Sequence, residues 1–246
     1  MVRGVFVVAL AVVLTGLVSF AALIAIFLFR WPAARVHIFP RWWGRVICRA
    51  AGVRVEINGL DKLNGDGPYI FAANHQSQFD IFAIQGYFPF DFRWLAKKEL
   101  FEVPLFGHAM HRAENIPVDR AHSRQAVKSL DEAAQRIADG ASVIIFPEGT
   151  RSQDGSMLPF KAGAMVLAIK ARVPVVPVAI TGSYAVMPKN CILPRSGRIR
   201  ITIGAPIATS GYDLKQKHEL AEFLQEKVAA LMAGEVVRPP APYKKV

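Results

Sequence analysis

From Gly4 to Phe29 the chain carries no charged side chain, and this run restricts its architecture more than any other feature. As a helix, its 26 positions reach roughly 39 Å at about 1.5 Å per residue. A bilayer's hydrocarbon core is about 30 Å thick, so the segment is long enough to cross it with some tilt. A secretory signal is the competing reading, because Arg3 precedes the run and Ala21 and Ala22 offer small residues for cleavage. A signal's apolar core is about 7–15 residues, however, and this run continues well past those alanines. Residues 1–30 are therefore expected to form a retained transmembrane anchor. Only Arg3 and the amino terminus lie before the run, whereas Arg30, Arg35, Arg41, Arg45 and Arg49 follow it. The positive-inside rule then places all that follows in the cytoplasm.

Residues 31–52 interleave those arginines with Trp31, Phe39, Trp42 and Trp43. That mixture suits a helical segment lying at headgroup level. The alternative is that the tryptophans belong to the core of the following domain. The chain has 246 residues, room for one large domain plus such attachments. Its 52% hydrophobic and 20% charged residues exclude wholesale disorder. A net charge of +11 points to anionic partners: nucleic acid, anionic lipid or phosphate-bearing metabolites. The two cysteines, Cys48 and Cys191, form no C-x-x-C, which excludes a disulfide framework or a cysteine zinc site as the organising principle.

After residue 52 the pattern becomes strands alternating with helices. Val53, Val55 and Ile57 alternate with Arg54, Glu56 and Asn58, as in a half-buried strand. Apolar runs at Tyr69–Ala73, Phe92–Ala96, Val143–Phe146, Val175–Thr181 and Ile199–Ile203 read as further strands. Helices are expected over Ser123–Asp139, capped by Ser123 and stopped by Gly140, and over Ala162–Ala171 and Leu214–Leu231. Such alternation predicts an α/β domain over residues 53–234, a mixed and largely parallel sheet flanked by helices. The alternating outer strands are candidates for antiparallel pairing at an edge. Residues 235–246, Pro-rich and ending Lys244-Lys245, read as a flexible basic tail.

Two motifs carry the chemistry. Asn74-His-Gln-Ser-Gln-Phe-Asp80 sets a histidine and a carboxylate five positions apart. On a regular helix the two would sit roughly 140° apart, so they can meet only across a non-helical turn. His75 follows a strand, and ligand sites of open α/β sheets lie at such strand ends. Asp80 could then hold one imidazole nitrogen and leave the other free to take a proton. The plainer alternative is a capping aspartate beside an incidental histidine. In the second motif, Phe146-Pro-Glu-Gly-Thr-Arg151, Pro147 stops the strand, Gly149 permits a tight turn and Arg151 emerges from it. A guanidinium with turn N–H groups suits a phosphate monoester. The alternative is an Arg151–Glu148 salt bridge. Further cations lie at Lys97, Lys98, Arg112, Arg120 and Lys161.

These motifs, with Asp119-Arg120 and Val173-Pro-Val-Val-Pro177, occur in the order of the glycerolipid acyltransferase family, which the chain resembles over roughly residues 53 to 206. Within it the chain is most similar to the bacterial 1-acyl-sn-glycerol-3-phosphate acyltransferases. The resemblance implies that His75 is the general base and Asp80 its orienting group. It assigns the acceptor phosphate to Lys97, Arg120, Glu148, Gly149, Thr150 and Arg151. Glu114 to Val118 departs from the family's usual glycine- and phenylalanine-bearing pattern before Arg120.

The implied reaction passes an acyl group from acyl-CoA or acyl-carrier protein to the sn-2 hydroxyl of lysophosphatidic acid, at the inner membrane. Backbone N–H groups near the motifs would stabilise the oxyanion. Neither a covalent enzyme nucleophile nor a cofactor is implied, and the chain holds no G-x-S-x-G elbow. The histidines form no H-E-x-x-H arrangement, so no metal is expected. A nucleic-acid partner is not expected either, because no recognised binding motif is present. Other acceptors are glycerol-3-phosphate, a lyso-ornithine lipid or a lysophospholipid, and a non-catalytic lipid-binding protein is the reading from another class.

Overall fold

The computed structural model describes residues 2–63, 65, 67–118 and 123–234, with the backbone alone over 123–128. Arg120, the side chain of Ser123 and the tail lie outside what is described. The elements run α1 (Val2–Phe27), α2 (Ala33–Val36), α3 (Ile38–Ala50), β1 (Val53–Asn58), β2 (Ile70–Ala73), α4 (Phe79–Tyr87), β3 (Arg93–Lys97) and α5 (Phe106–Arg112). They continue with β4 (Ile116–Val118), α6 (Ser123–Ala138), β5 (Val143–Ile145), α7 (Ala162–Ala171), β6 (Val175–Thr181), α8 (Ser183–Val186), β7 (Gly197–Ile203) and α9 (Lys217–Ala233).

The strands form one sheet in the order β1-β7-β6-β2-β5-β3-β4. β6, β2, β5, β3 and β4 run parallel, each to its neighbour. β1 and β7 are parallel to each other, and β7 is antiparallel to β6 with Thr181 opposite Arg200. The two alternating strands thus occupy an edge as a pair, and the antiparallel junction lies one strand further in, at β6–β7. The C-terminal ends of β2, β5 and β6 open on the same edge as the N-terminal ends of β7 and β1.

β2 shows how sequence period builds both cores. Phe71 and Ala73 face one layer, with Ile47 of α3, Phe79 and Phe82 of α4, and Ile199 and Ile201 of β7. Ile70 and Ala72 face the other, with Ile137 of α6, Met165 and Leu167 of α7, and Leu220 and Leu224 of α9. A strand buried on both faces reads as a continuous apolar run, as β2, β5 and β6 do.

α3 and α4 cross with almost no space between backbones. A Cβ on Gly44 would lie 2.6 Å from the Phe82 carbonyl oxygen, and one on Gly86 would lie 2.7 Å from the Arg45 nitrogen. The Arg45 side chain closes the crossing by donating to the Gly86 carbonyl at 2.6 Å.

α1 is long and apolar enough to cross a membrane. It lies along the domain, packed on α3 and α5. Val7, Leu14, Ala22 and Ala25 are its buried stripe. Trp43 Nε1 donates to Thr15 Oγ1 at 3.1 Å, and the Arg112 guanidinium sits 4.7 Å from the Phe27 ring centroid. The opposite face, with Phe6, Val13, Leu17 and Phe20, is exposed. The two readings of the tryptophans therefore divide. Trp43 packs edge-on against Phe82 of the core, whereas Trp42 on the same helix is exposed.

Candidate active site

β2 ends at Ala73, and the next residues leave the strand without entering a helix. Asn74 fixes this departure. Its side chain donates to the Ile180 carbonyl at 2.9 Å and accepts from the Ile180 N–H at 2.7 Å, replacing ladder bonds that β2 can no longer make with β6. Ser77 then starts α4: its hydroxyl accepts from the Phe79 N–H at 3.1 Å and donates to the Met187 carbonyl at 2.7 Å. Across the turn, His75 Nδ1 and Asp80 Oδ2 meet at 2.8 Å.

Asp80 is fully buried in the first turn of α4. Its Oδ2 also accepts the N–H groups of Gln76 at 2.7 Å and Ser77 at 2.8 Å. The capping role and the histidine-holding role are thus one geometry. Because Oδ2 is the acceptor, Nδ1 carries the proton and Nε2 has the free lone pair. The His75 side chain, 12% exposed, remains reachable from the sheet edge.

The second motif grips the first. His75 N–H donates to Glu148 Oε1 at 2.6 Å, and the His75 carbonyl accepts from Ser152 N–H at 2.9 Å. Glu148 Oε2 accepts from Leu158 N–H at 2.9 Å. Glu148 is only 2% exposed. Its burial pushes the carboxyl up to about 7 against the opposing pull of those two N–H bonds, and the nearby Asp80 charge raises it further. The Phe146 ring stacks on the imidazole at 3.9 Å between centroids and 12° between planes, and Trp94 stacks behind Phe146.

Both Glu148 oxygens point inward to backbone donors, so in place of the expected contact with a phosphate this side chain orders the loop without repelling an anion. The alternative Arg151–Glu148 pair is not formed among the described residues, for the same reason. The N–H groups of His75, Gln76 and Ser77 are all taken by carboxylates, so none of these three is free for the oxyanion expected near the two motifs.

The phosphate block otherwise forms a tight turn. Gly149 has φ +74° and donates to the Phe146 carbonyl at 3.0 Å. Thr150 is exposed and Arg151 half-buried at its rim. Lys97 ends β3, two strands from β2 on the same sheet edge, and its ammonium meets Glu99 at 3.0 Å. Arg120 lies outside the described residues. Asn74, Ser77 and Phe146 were not singled out from sequence. Ser77, two residues before a helix, carries a recognisable capping signal, whereas the stacking of Phe146 depends on a strand far away in sequence.

A family model described as Acyltransferase matches residues 54–181. The 1-acyl-sn-glycerol-3-phosphate acyltransferase of Cocos nucifera is 33% identical over 206 residues, covering 82% of this chain and 66% of the relative. The alpha form of that acyltransferase in Homo sapiens is 35% identical over 161 residues, 65% of this chain and 57% of its own length. The chain thus spans about two thirds or less of these two relatives. The crystal structure of the 1-acyl-sn-glycerophosphate acyltransferase of Thermotoga maritima superposes with a TM-score of 0.80 at 26% identity, over 95% of this chain and 96% of that one. The family match encloses the histidine turn and the glutamate–arginine turn that bracket each other here, and the chain belongs to the Acyltransferase family.

Proposed function

We propose that this protein acylates the sn-2 hydroxyl of lysophosphatidic acid, forming phosphatidic acid, with the thioester of CoA or of a carrier protein as donor. One observation carries the reading: a reachable imidazole whose Nδ1 is locked on a buried carboxylate, leaving Nε2 as base at the open sheet edge. His75 Nε2 removes the hydroxyl proton as the oxygen forms its bond to the thioester carbonyl carbon. The C–S bond then breaks, and the leaving thiolate recovers the proton from the imidazolium. Asp80 stabilises that imidazolium, and Phe146 holds the ring plane. The relatives named above support the acceptor, since their names specify 1-acyl-sn-glycerol-3-phosphate.

α1 keeps the site at the bilayer, with its exposed apolar face toward lipid. The arginines following α1 favour a cytoplasmic orientation at the inner membrane.

The test is thiol release from acyl-CoA or acyl-carrier protein in mixed micelles, with the lipid product followed by chromatography. Phosphatidic acid formed by the wild type and lost in folded His75→Ala is the expected result. Equal turnover in that variant would remove His75 from the reaction. Acylation of glycerol-3-phosphate alone would move the acceptor assignment.

A further inference from the structure

Two lysines from separate segments lie against one tight turn from which Arg151 emerges, and neither lysine belongs to the motif. Arg151 leaves the turn itself. Lys161, the residue before α7, lies over it: a Cβ on Gly149 would come within 2.9 Å of the Lys161 Nζ. Lys189, from the loop between α8 and β7, donates to Thr150 Oγ1 at 3.1 Å. None of the three has a carboxylate partner among the described residues. The nearest acid in sequence, Glu148, is turned inward onto backbone N–H groups. Like charges gathered around a turn repel, and an exposed lysine–threonine bond contributes little to stability. The arrangement is favourable when an anion of high charge sits among them.

The loop that brings Lys189 is tied to the base. The Met187 carbonyl accepts the Ser77 hydroxyl at 2.7 Å, and Arg195 N–H donates to the Val186 carbonyl at 2.8 Å. At its far end Leu193 packs where a Cβ on Gly4 of α1 would lie 3.1 Å away. The loop that carries Lys189 is thus tied to the His75 turn through Met187 and packs on the start of the apolar helix through Leu193.

We propose that Lys161 and Lys189 complete the phosphate subsite with Arg151, and that Lys189 is an acceptor-binding residue that selects a phosphomonoester acceptor. This rests on the proposed reaction for its substrate and on the geometry alone for its anion. The glycine at 149 serves the same subsite, since any side chain there would displace Lys161.

The test uses the full chain in detergent with two readouts. Binding of glycerol 3-phosphate, measured by calorimetry, requires no turnover. Steady-state kinetics give KM separately for lysophosphatidic acid and for the acyl donor. Lys189→Met is expected to weaken glycerol 3-phosphate binding and raise the acceptor KM about ten- to a hundredfold, the size of a lost charge-assisted bond. Its donor KM should stay unchanged. Lys189→Arg should recover most of the loss, and Lys161→Met should show the same pattern. Unchanged binding and acceptor KM in both methionine variants would overturn the inference. So would a rise confined to the donor KM, which would place these cations on the donor's phosphates. Failure of the wild type to acylate lysophosphatidic acid while it binds glycerol 3-phosphate through these lysines would sink the reaction, not the subsite.

Discussion

Asp80 concentrates several roles in one oxygen. Oδ2 takes three donors, while Oδ1 is buried with no hydrogen-bond partner among the described residues. In Asp80→Asn the amide oxygen can keep all three donors, leaving the NH₂ in a dry position without an acceptor. The turn then survives, but the imidazolium formed in the proposed reaction loses its counter-charge. We expect kcat to fall about 10²- to 10⁴-fold with the acceptor KM little changed, and a modest loss of thermal stability. A variant retaining wild-type kcat would show that the charge is unnecessary. Glu148 gives a pH signature of opposite kind to a surface carboxylate. Its carboxyl binds a proton more tightly folded, at about 7, than at its ordinary value of 4.5. The folded protein therefore holds more protons through that window, and this group's contribution to stability is lost as pH rises from about 4.5 to about 7. Glu148→Gln removes the titration, so wild-type stability relative to the variant should decline with rising pH across the window and level off above it. Denaturant titrations at several pH values would show this, and a gap that grows with pH would reverse the assignment. The spacing of His75 and Asp80 after a strand allowed a pair across a turn, the family resemblance favoured it over a mere cap, and the structure shows the 2.8 Å contact. The inward turn of Glu148 was not legible, because its partners are the N–H groups of His75 and Leu158, one of them in another segment of the chain.

Among the elements, the α3–α4 crossing places Asp80 under the imidazole. Its two glycines meet backbone, which has no freedom to yield. Gly44→Ala or Gly86→Ala should cost about 1–3 kcal/mol, as overpacking does, and lower Tm by several degrees. Gly163→Ala, on α7 with nothing within 4 Å of its missing Cβ, is the control and should be neutral or slightly stabilising. Calorimetry on the three variants checks the contrast, and equal Tm values would mean the helices can separate freely. The periodic helices and apolar strands were readable because period and burial are local properties. α7 falls where the sequence places it, and β6 likewise. β4, three residues containing Pro117, and α5, seven residues long, were not anticipated, since elements so short carry no period to read.

At the scale of the whole molecule, α1 is long and apolar enough to cross a membrane and packs on α3 and α5 of the domain. α1 buries Val7, Leu14, Ala22 and Ala25 against the domain and exposes Phe6, Val13 and Phe20 on its far side. Charges on the exposed face should weaken membrane binding without unfolding the domain. Phe6→Asp with Phe20→Asp is expected to move the protein from the floating to the soluble fraction in vesicle flotation, while thiol release with micellar substrate persists. Flotation equal to wild type would mean that another surface holds the lipid. Sequence by itself determined that α1 is an apolar helix, that the domain alternates strand and helix, and that His75 and Asp80 can meet only across a non-helical turn. Each of these follows from period, composition or short spacing along the chain. Tertiary structure alone decided that α1 lies along α3, that Phe146 stacks on His75, that Glu148 turns inward, that Lys161 lies over Gly149 and that Lys189 bonds Thr150. Those contacts join residues far apart in the chain, and no local preference encodes which of them a fold will bring together.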